Sequence, residues 1–273
     1  MGWERGANRA NLTDMDSFAP LTPEDALAAL TWQIELGADD AICDETLDCY
    51  ALEAKLAPPA APAAPAPLAE PKEADPVALA RQAAAEASDL PGLHAAMEGF
   101  PGSELREAAR NCVFADGQPG ARVMIVGEAP GRDEDQRGLP FVGRAGQLLD
   151  RMFTAIGLSR QSPDLEHALY ISNVLPWRPP QNRTPSPQEI GMFLPFLHRH
   201  IELAAPEIIV VMGNTPAQAL LGRSGITRMR GTWAETAGLP CLPMFHPAYL
   251  LRNPAAKRET WTDLLALKAR LRG

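Results

Sequence analysis

Four short apolar runs punctuate the chain between Val123 and His246. Val123 to Val126 is rich in β-branched residues and stops at Gly127, and Leu169 to Leu175 has YISNV at its heart. Ile208 to Met212 ends at Gly213, and Cys241 to Phe245 ends at His246. Continuous apolar runs of this length predict strands buried on both faces. Between and after them the apolar spacing becomes helical. Gly146 to Ile156 places Leu148, Leu149, Met152 and Phe153 on one face, Pro187 to Leu203 and Thr215 to Leu221 read as helices, and Pro254 to Leu271 is amphipathic around Trp261, Leu264, Leu265 and Leu267. Strands alternating with helices predict an α/β protein: a three-layer αβα arrangement around a central, mostly parallel four-stranded sheet.

Upstream the pattern changes. Residues 1–20 show no periodicity and are expected to be mobile. Thr22-Pro23-Glu24-Asp25 reads as a helix start, and Ala26, Leu27, Leu30, Thr31, Ile34 and Glu35 form a partly apolar face ended by Gly37. That face would dock on the main domain or bind a partner. Pro58 to Pro76 is rich in Pro and Ala, a composition that favours an extended linker. Val77 to Ser88 and Glu104 to Asn111 then read as helices before Cys112-Val113-Phe114 and the turn at Asp116-Gly117. The expected organisation is an acidic N-terminal helical and mobile segment over 1–57, a linker over 58–76, and a catalytic-type domain over 77–273.

Composition refines this picture. With 273 residues, 46% of them hydrophobic, the chain can hold one domain of ordinary size plus an appendage. No apolar run approaches the roughly 20 residues that span a bilayer, and MGWERGANRA has no signal-peptide core, so an intracellular, cytoplasmic protein is expected. Cys43, Cys49, Cys112 and Cys241 match no usual metal spacing and are expected to be idle thiols. The formal charge of −9 conceals a division: residues 1–89 hold 5 Lys/Arg and 17 Asp/Glu, whereas residues 90–273 hold 20 and 17. The second part is mildly basic, and 18 of its 20 cations are arginine, the side chain suited to bidentate phosphate contacts.

Candidate chemistry gathers at the strand ends, where open α/β sheets bind ligands. The first strand runs into a loop carrying Glu128, Pro130, Gly131, Asp133, Glu134 and Asp135, then a Gly-x-Pro-Phe-x-Gly turn containing Phe141. Asn173 ends the second strand and His246 follows the fourth. Taken singly, such residues are turn formers, solvated acids or a core plug. Together, an aromatic face, a carboxamide and an imidazole suit a flat heterocycle: Phe141 to stack, Asn173 to read one edge, His246 to stabilise a carbonyl or anion.

GEAPGRDEDQRGLPFVGRAGQLLD, YISNVLPWRPPQNRTPSPQEI, IIVVMGNTPAQALL, ITRMRGTW and PMFHPAYLLRNPAAKRETWTDL resemble, in order, the uracil-DNA glycosylase superfamily, closest to family 4, over residues 98–270. The resemblance implies a uracil-DNA glycosylase-like catalytic domain that flips uracil out of single- or double-stranded DNA and hydrolyses its N-glycosidic bond. It implies that Glu128 and Ala129 hold a water and the uracil edge, that Glu134, beside Asp135, excludes the thymine methyl, and that Phe141 stacks on the base. Asn173 would read N3–H and O4, and His246 would stabilise charge at O2. Leu250, Leu251 and Arg252 would form a wedge into the duplex, with phosphate contacts from Arg144, Arg178, Arg183, Arg252, Lys257 and Arg258.

Two departures qualify the resemblance. Family 4 members usually hold a [4Fe–4S] cluster on four cysteines, and here the equivalent positions are Phe100, Ser103, Trp177 and Phe193, so no cofactor and no metal are expected. A related branch captures uracil-DNA covalently through a histidine whose position here is Asn182, so free uracil is expected to be released. The expected protein is a monomeric, monofunctional glycosylase whose N-terminal segment can recruit a repair partner. The alternative is a non-catalytic reader of uracil or damaged DNA that kept the pocket.

Overall fold

The computed structural model describes residues 22–35, 75–101 and 103–272. The chain divides into two units, Met1–Glu70 and Pro71–Gly273. In the first, helix α1 (Pro23–Glu35) begins at the expected Thr22-Pro23 signal and leaves Leu27, Leu30 and Trp32 exposed. The expectations for residues 1–20, for Cys43 and Cys49, and for nearly all of the Pro/Ala-rich linker lie outside the described residues.

The second unit is built on one sheet. Its centre is four parallel strands, β2 (Val123–Gly127), β3 (Leu169–Asn173), β4 (Ile208–Met212) and β6 (Leu239–Met244). Two three-residue edge strands, β1 (Ala115–Gly117) and β5 (Ala234–Thr236), pair antiparallel and extend the order to β1-β3-β2-β4-β6-β5. The expected four strands are thus the core of a six-stranded sheet.

Side chains of β2 alternate between the two faces, as strand geometry demands. Met124 and Val126 join one apolar layer with Tyr170, Ile209 and Val211, covered by α2 (Pro76–Glu86), α3 (Leu90–Gly99) and α7 (Pro187–Ala204). Val123 and Ile125 join the other with Leu169, Ile171 and Val210, covered by α6 (Arg144–Thr154) and α11 (Lys257–Leu271). Capping fixes the helix starts. Asp75 and Asp89 accept from Val77 and Gly92 N–H at 3.0 and 2.7 Å, and Ser186 with Glu189 closes a reciprocal capping box on α7.

The connection from β2 leads to β3 on one side, whereas the next strand, β4, lies on the other. Such a reversal opens a crevice beyond the carboxyl ends of the strands. Among the described residues, no helix is long and apolar enough to cross a membrane.

Candidate nucleobase site

A cavity of about 650 Å³ lies at that crevice, and Glu128, Ala129, Glu134, Phe141, Asn173 and His246 all line it. The sheet places three of them. Gly127 pairs in register with Asn173, and Val174 and Leu175 N–H donate to the carbonyls of Gly127 and Glu128 at 2.9 and 3.2 Å, pinning the two strand ends together. A Cβ on Gly127 would collide with the Asn173 carboxamide oxygen and lie 2.6 Å from the Phe141 ring, so only glycine lets both side chains close on this strand end. The Asn173 carboxamide makes no hydrogen bond to protein among the described residues, which leaves its donor and acceptor free for a ligand.

Phe141 is 5% exposed and sits at φ +53°. The left-handed region costs an L-residue on the order of 1–2 kcal/mol. Glu134 helps to hold it there: its Oε1 accepts from the N–H groups of Val142 and Gly143, both at 2.9 Å. The close approach of Gly146, where a Cβ would strike the Phe141 carbonyl, completes the turn. The Phe141 and His246 rings stand 5.5 Å apart at 30°.

His246 is half-buried, with Nδ1 accepting from Ala248 N–H at 3.1 Å. That bond assigns the proton of the neutral ring to Nε2. Desolvation, reinforced by the Arg252 cation, lowers its pKa from 6.5 to about 4, so it is neutral at physiological pH. Glu128 is tied by Thr215, whose hydroxyl donates to Oε2 at 2.6 Å.

Several expected contacts are placed differently. Asp135 is 8% exposed and does not line the cavity; its carboxylate accepts from Arg110 and Asn111 N–H at 2.7 and 3.2 Å. Leu250, expected in a wedge, is 1% exposed in the core, because the segment after His246 is a helix, α10 (Pro247–Arg252), and turns that residue inward. Leu251 packs against the same core, whereas Tyr249 and Arg252 line the cavity. Arg183 lines the cavity but is held in a two-pronged pair with Glu189 at 2.6 and 2.8 Å, which lowers the Glu189 pKa to about 2. Arg178 donates to Asn182 at 2.8 Å, and neither Arg178 nor the exposed Arg144 lines the cavity. Thr215 and Tyr249 escaped the sequence reading. Thr215 was legible by the strand-end rule, since it lies just past Gly213.

The positions at which the resemblance sets cluster ligands do not fit an iron–sulfur cluster, which is held by thiolates. Phe100, Phe193 and Trp177 are 4%, 0% and 4% exposed, and the rings of Phe100 and Phe193 meet edge to face at 6.4 Å. The Trp177 indole N–H, buried without an acceptor among the described residues, is a donor and no metal ligand. Burial pushes the Cys112 thiol up to about 12, with Glu98 adding to the rise. Among the described residues, no three His, Cys, Asp or Glu side chains form a group that could hold a metal ion.

A second histidine, His200, is likewise kept neutral by desolvation. His200 is 1% exposed, stacks on Phe114 at 4.2 Å and meets the Tyr170 hydroxyl at 2.8 Å; burial lowers its pKa to about 3. Both rings stay neutral in the fold but protonate near 6.5 when unfolded, so between these values the unfolded chain binds more protons. Stability is therefore full above about pH 6.5 and falls as pH drops toward 4 and then 3, by up to about 1.4 kcal/mol per pH unit for each histidine. Urea midpoints measured from pH 8 to 4 should trace this decline, and His200→Gln should flatten it.

An αβα protein with an aromatic, carboxamide and imidazole cavity at the carboxyl edge of its sheet is a ligand-binding α/β fold equipped for a nucleobase. Comparison with known proteins agrees. Residues 114–265 match the model of the uracil DNA glycosylase superfamily. The type-4 uracil-DNA glycosylase of Thermotoga maritima is 40% identical over 146 residues, 52% of this chain and 73% of that one. Those of Archaeoglobus fulgidus and Pyrobaculum aerophilum are each 37% identical, covering 59% and 64% of this chain and 82% and 91% of theirs. The chain belongs to the uracil DNA glycosylase superfamily.

Proposed function

We propose that this chain is a monofunctional uracil-DNA glycosylase that draws uracil out of DNA, hydrolyses its N-glycosidic bond and leaves an abasic site. The observation that carries this reading is the convergence on one cavity of the Phe141 ring, an Asn173 carboxamide and a neutral His246 Nε2–H that have no hydrogen-bond partner among the described residues. Extruding a base costs a few kcal/mol, which stacking on Phe141 and pairing with Asn173 would repay. As the bond between C1′ and N1 breaks, the sugar gains positive charge and the base negative charge. His246 Nε2–H donates to the anion developing at O2, and a preorganised donor of this kind lowers the barrier. Glu128, steadied by Thr215, orients the water whose oxygen bonds to C1′ and accepts the proton that this water gives up, while uracil leaves with the electron pair of the broken C1′–N1 bond. Asp135 and Glu134 act through the backbone they hold, and Glu134 also borders the base pocket.

DNA contacts would come from Arg252 and Tyr249 at the cavity and from exposed Arg144, Lys257 and Arg258, giving salt-sensitive binding. Leu251 anchors the helix that carries Tyr249 and Arg252, and Arg178 braces its own loop through Asn182. The aromatic packing of Phe100 and Phe193 takes over the structural role of a cluster, so turnover proceeds without iron. The enzyme would act as a cytoplasmic monomer, with its acidic N-terminal segment available to a repair protein.

The test uses end-labelled oligonucleotides carrying one uracil, single-stranded or paired with G or A, followed by alkaline cleavage of abasic sites. Uracil-dependent cleavage, weakened in Asn173→Ala, is expected. Folded protein that binds uracil-DNA selectively but releases no uracil would instead be a reader of damage.

A further inference from the structure

Arg160 lies outside the cavity, and its side chain is 9% exposed. Nη1 donates to Asp116 Oδ2 at 2.9 Å and to the Pro140 carbonyl at 2.8 Å, and Nη2 donates to the Phe141 carbonyl at 3.0 Å. Nε donates to Asp150 Oδ1 at 2.9 Å. An ion pair whose purpose was to join β1 to α6 through Asp116 and Asp150 would need neither carbonyl. Those two carbonyls belong to the turn that carries Phe141, the aromatic residue held in the left-handed region.

From the other side, Glu134 accepts from the next two amides, Val142 and Gly143. A cation therefore grips the carbonyls of residues 140–141 and an anion the amides of residues 142–143. Charge-assisted bonds of this kind are short and directional. They fix the backbone from which the Phe141 ring reaches Gly127 and faces His246.

We propose that Arg160 is a positioning residue for the substrate base: through the carbonyls of Pro140 and Phe141 it holds the aromatic platform on which the flipped base stacks. This rests on the glycosylase reading of the cavity. The planar fork matters, because one guanidinium reaches acceptors on β1, α6 and the turn together, which the single nitrogen of lysine does not.

The test is a double-mutant cycle in uracil release between Arg160→Met and Phe141→Ala, using single-turnover rates on a single-uracil oligonucleotide. Arg160→Met should lower the single-turnover rate about 10- to 100-fold, the penalty for a misplaced binding group. Binding to undamaged DNA should be unchanged. In the Phe141→Ala background, the further loss on adding Arg160→Met should be no more than about twofold. Losses that multiply, or an Arg160→Met enzyme as active as the original, would overturn the proposal. Should circular dichroism show Arg160→Met unfolded, the same cycle is run with Arg160→Lys, which keeps a cation between Asp116 and Asp150. If the unaltered protein releases no uracil, the glycosylase reading fails and takes this proposal with it. Release by the unaltered protein with a multiplicative cycle sinks the proposal alone.

Discussion

His246→Ala is expected to lower kcat for uracil release by about 10²- to 10³-fold, the usual effect of removing one preorganised donor from a developing anion. The expectation follows from the state of the ring. Its Nδ1 is occupied as an acceptor of Ala248 N–H, so the only proton of the neutral imidazole is on Nε2. Desolvation holds its pKa at about 4, and a ring that is neutral throughout the physiological range can donate without becoming an acid. Such a bond is weak to the carbonyl of bound uracil and strong to the anion that forms from it. KM should accordingly change much less than kcat. Rates for the unaltered enzyme should show no titration near pH 6.5 and should fall only as pH approaches about 4, where the ring protonates. An alanine variant that keeps more than about a third of the original kcat would remove His246 from the chemistry.

Phe193→Ala is expected to destabilise the second unit by about 3–5 kcal/mol, the range for deleting a large buried aromatic side chain. Phe193 is fully buried and contacts both Phe100 and Phe196, with ring centroids at 6.4 and 6.2 Å. Phe100 and Phe196 are themselves 5.4 Å apart, so the three rings form one unit joining the end of α3 to α7. Domains are stable by only about 5–15 kcal/mol, so this loss is a large fraction of the whole. Urea unfolding with and without an iron chelator would measure it. Chelator-independent stability of the unaltered protein, together with a midpoint much lowered in Phe193→Ala, is the expected pair of results. Unfolding by chelator alone would mean that metal, and not packing, holds this corner.

The central strands are legible because burial on both faces leaves an uninterrupted apolar run, and the run Ile208–Met212 coincides with β4. The edge strands are not. ADG is half-buried throughout and AET has one exposed and one buried polar residue, so neither shows an apolar run, and they are strands because a neighbour offers them a ladder. The helix α5 (Arg132–Arg137) was also hidden, since RDEDQR has no apolar period. It forms between Gly131 and a left-handed Gly138, and Asp135, read as a pocket acid, turns to the amides of Arg110 and Asn111.

At the site, residue type and strand-end position were enough to nominate Glu128, Phe141, Asn173 and His246, because chemistry at the carboxyl edge of such a sheet follows from strand order and chain direction. Local sequence determined strand identity, helix caps and the candidate nucleobase chemistry. Tertiary structure alone decided which acids face the cavity, that Leu250 is core while Tyr249 borders the site, and that Arg160 and Glu134 grip the turn carrying Phe141. Spacing along a chain reports periodic burial. Hydrogen bonds such as those from Arg160 to the Pro140 carbonyl and from Arg110 N–H to Asp135 depend on where distant elements pack, and that is settled only when the whole sheet is assembled.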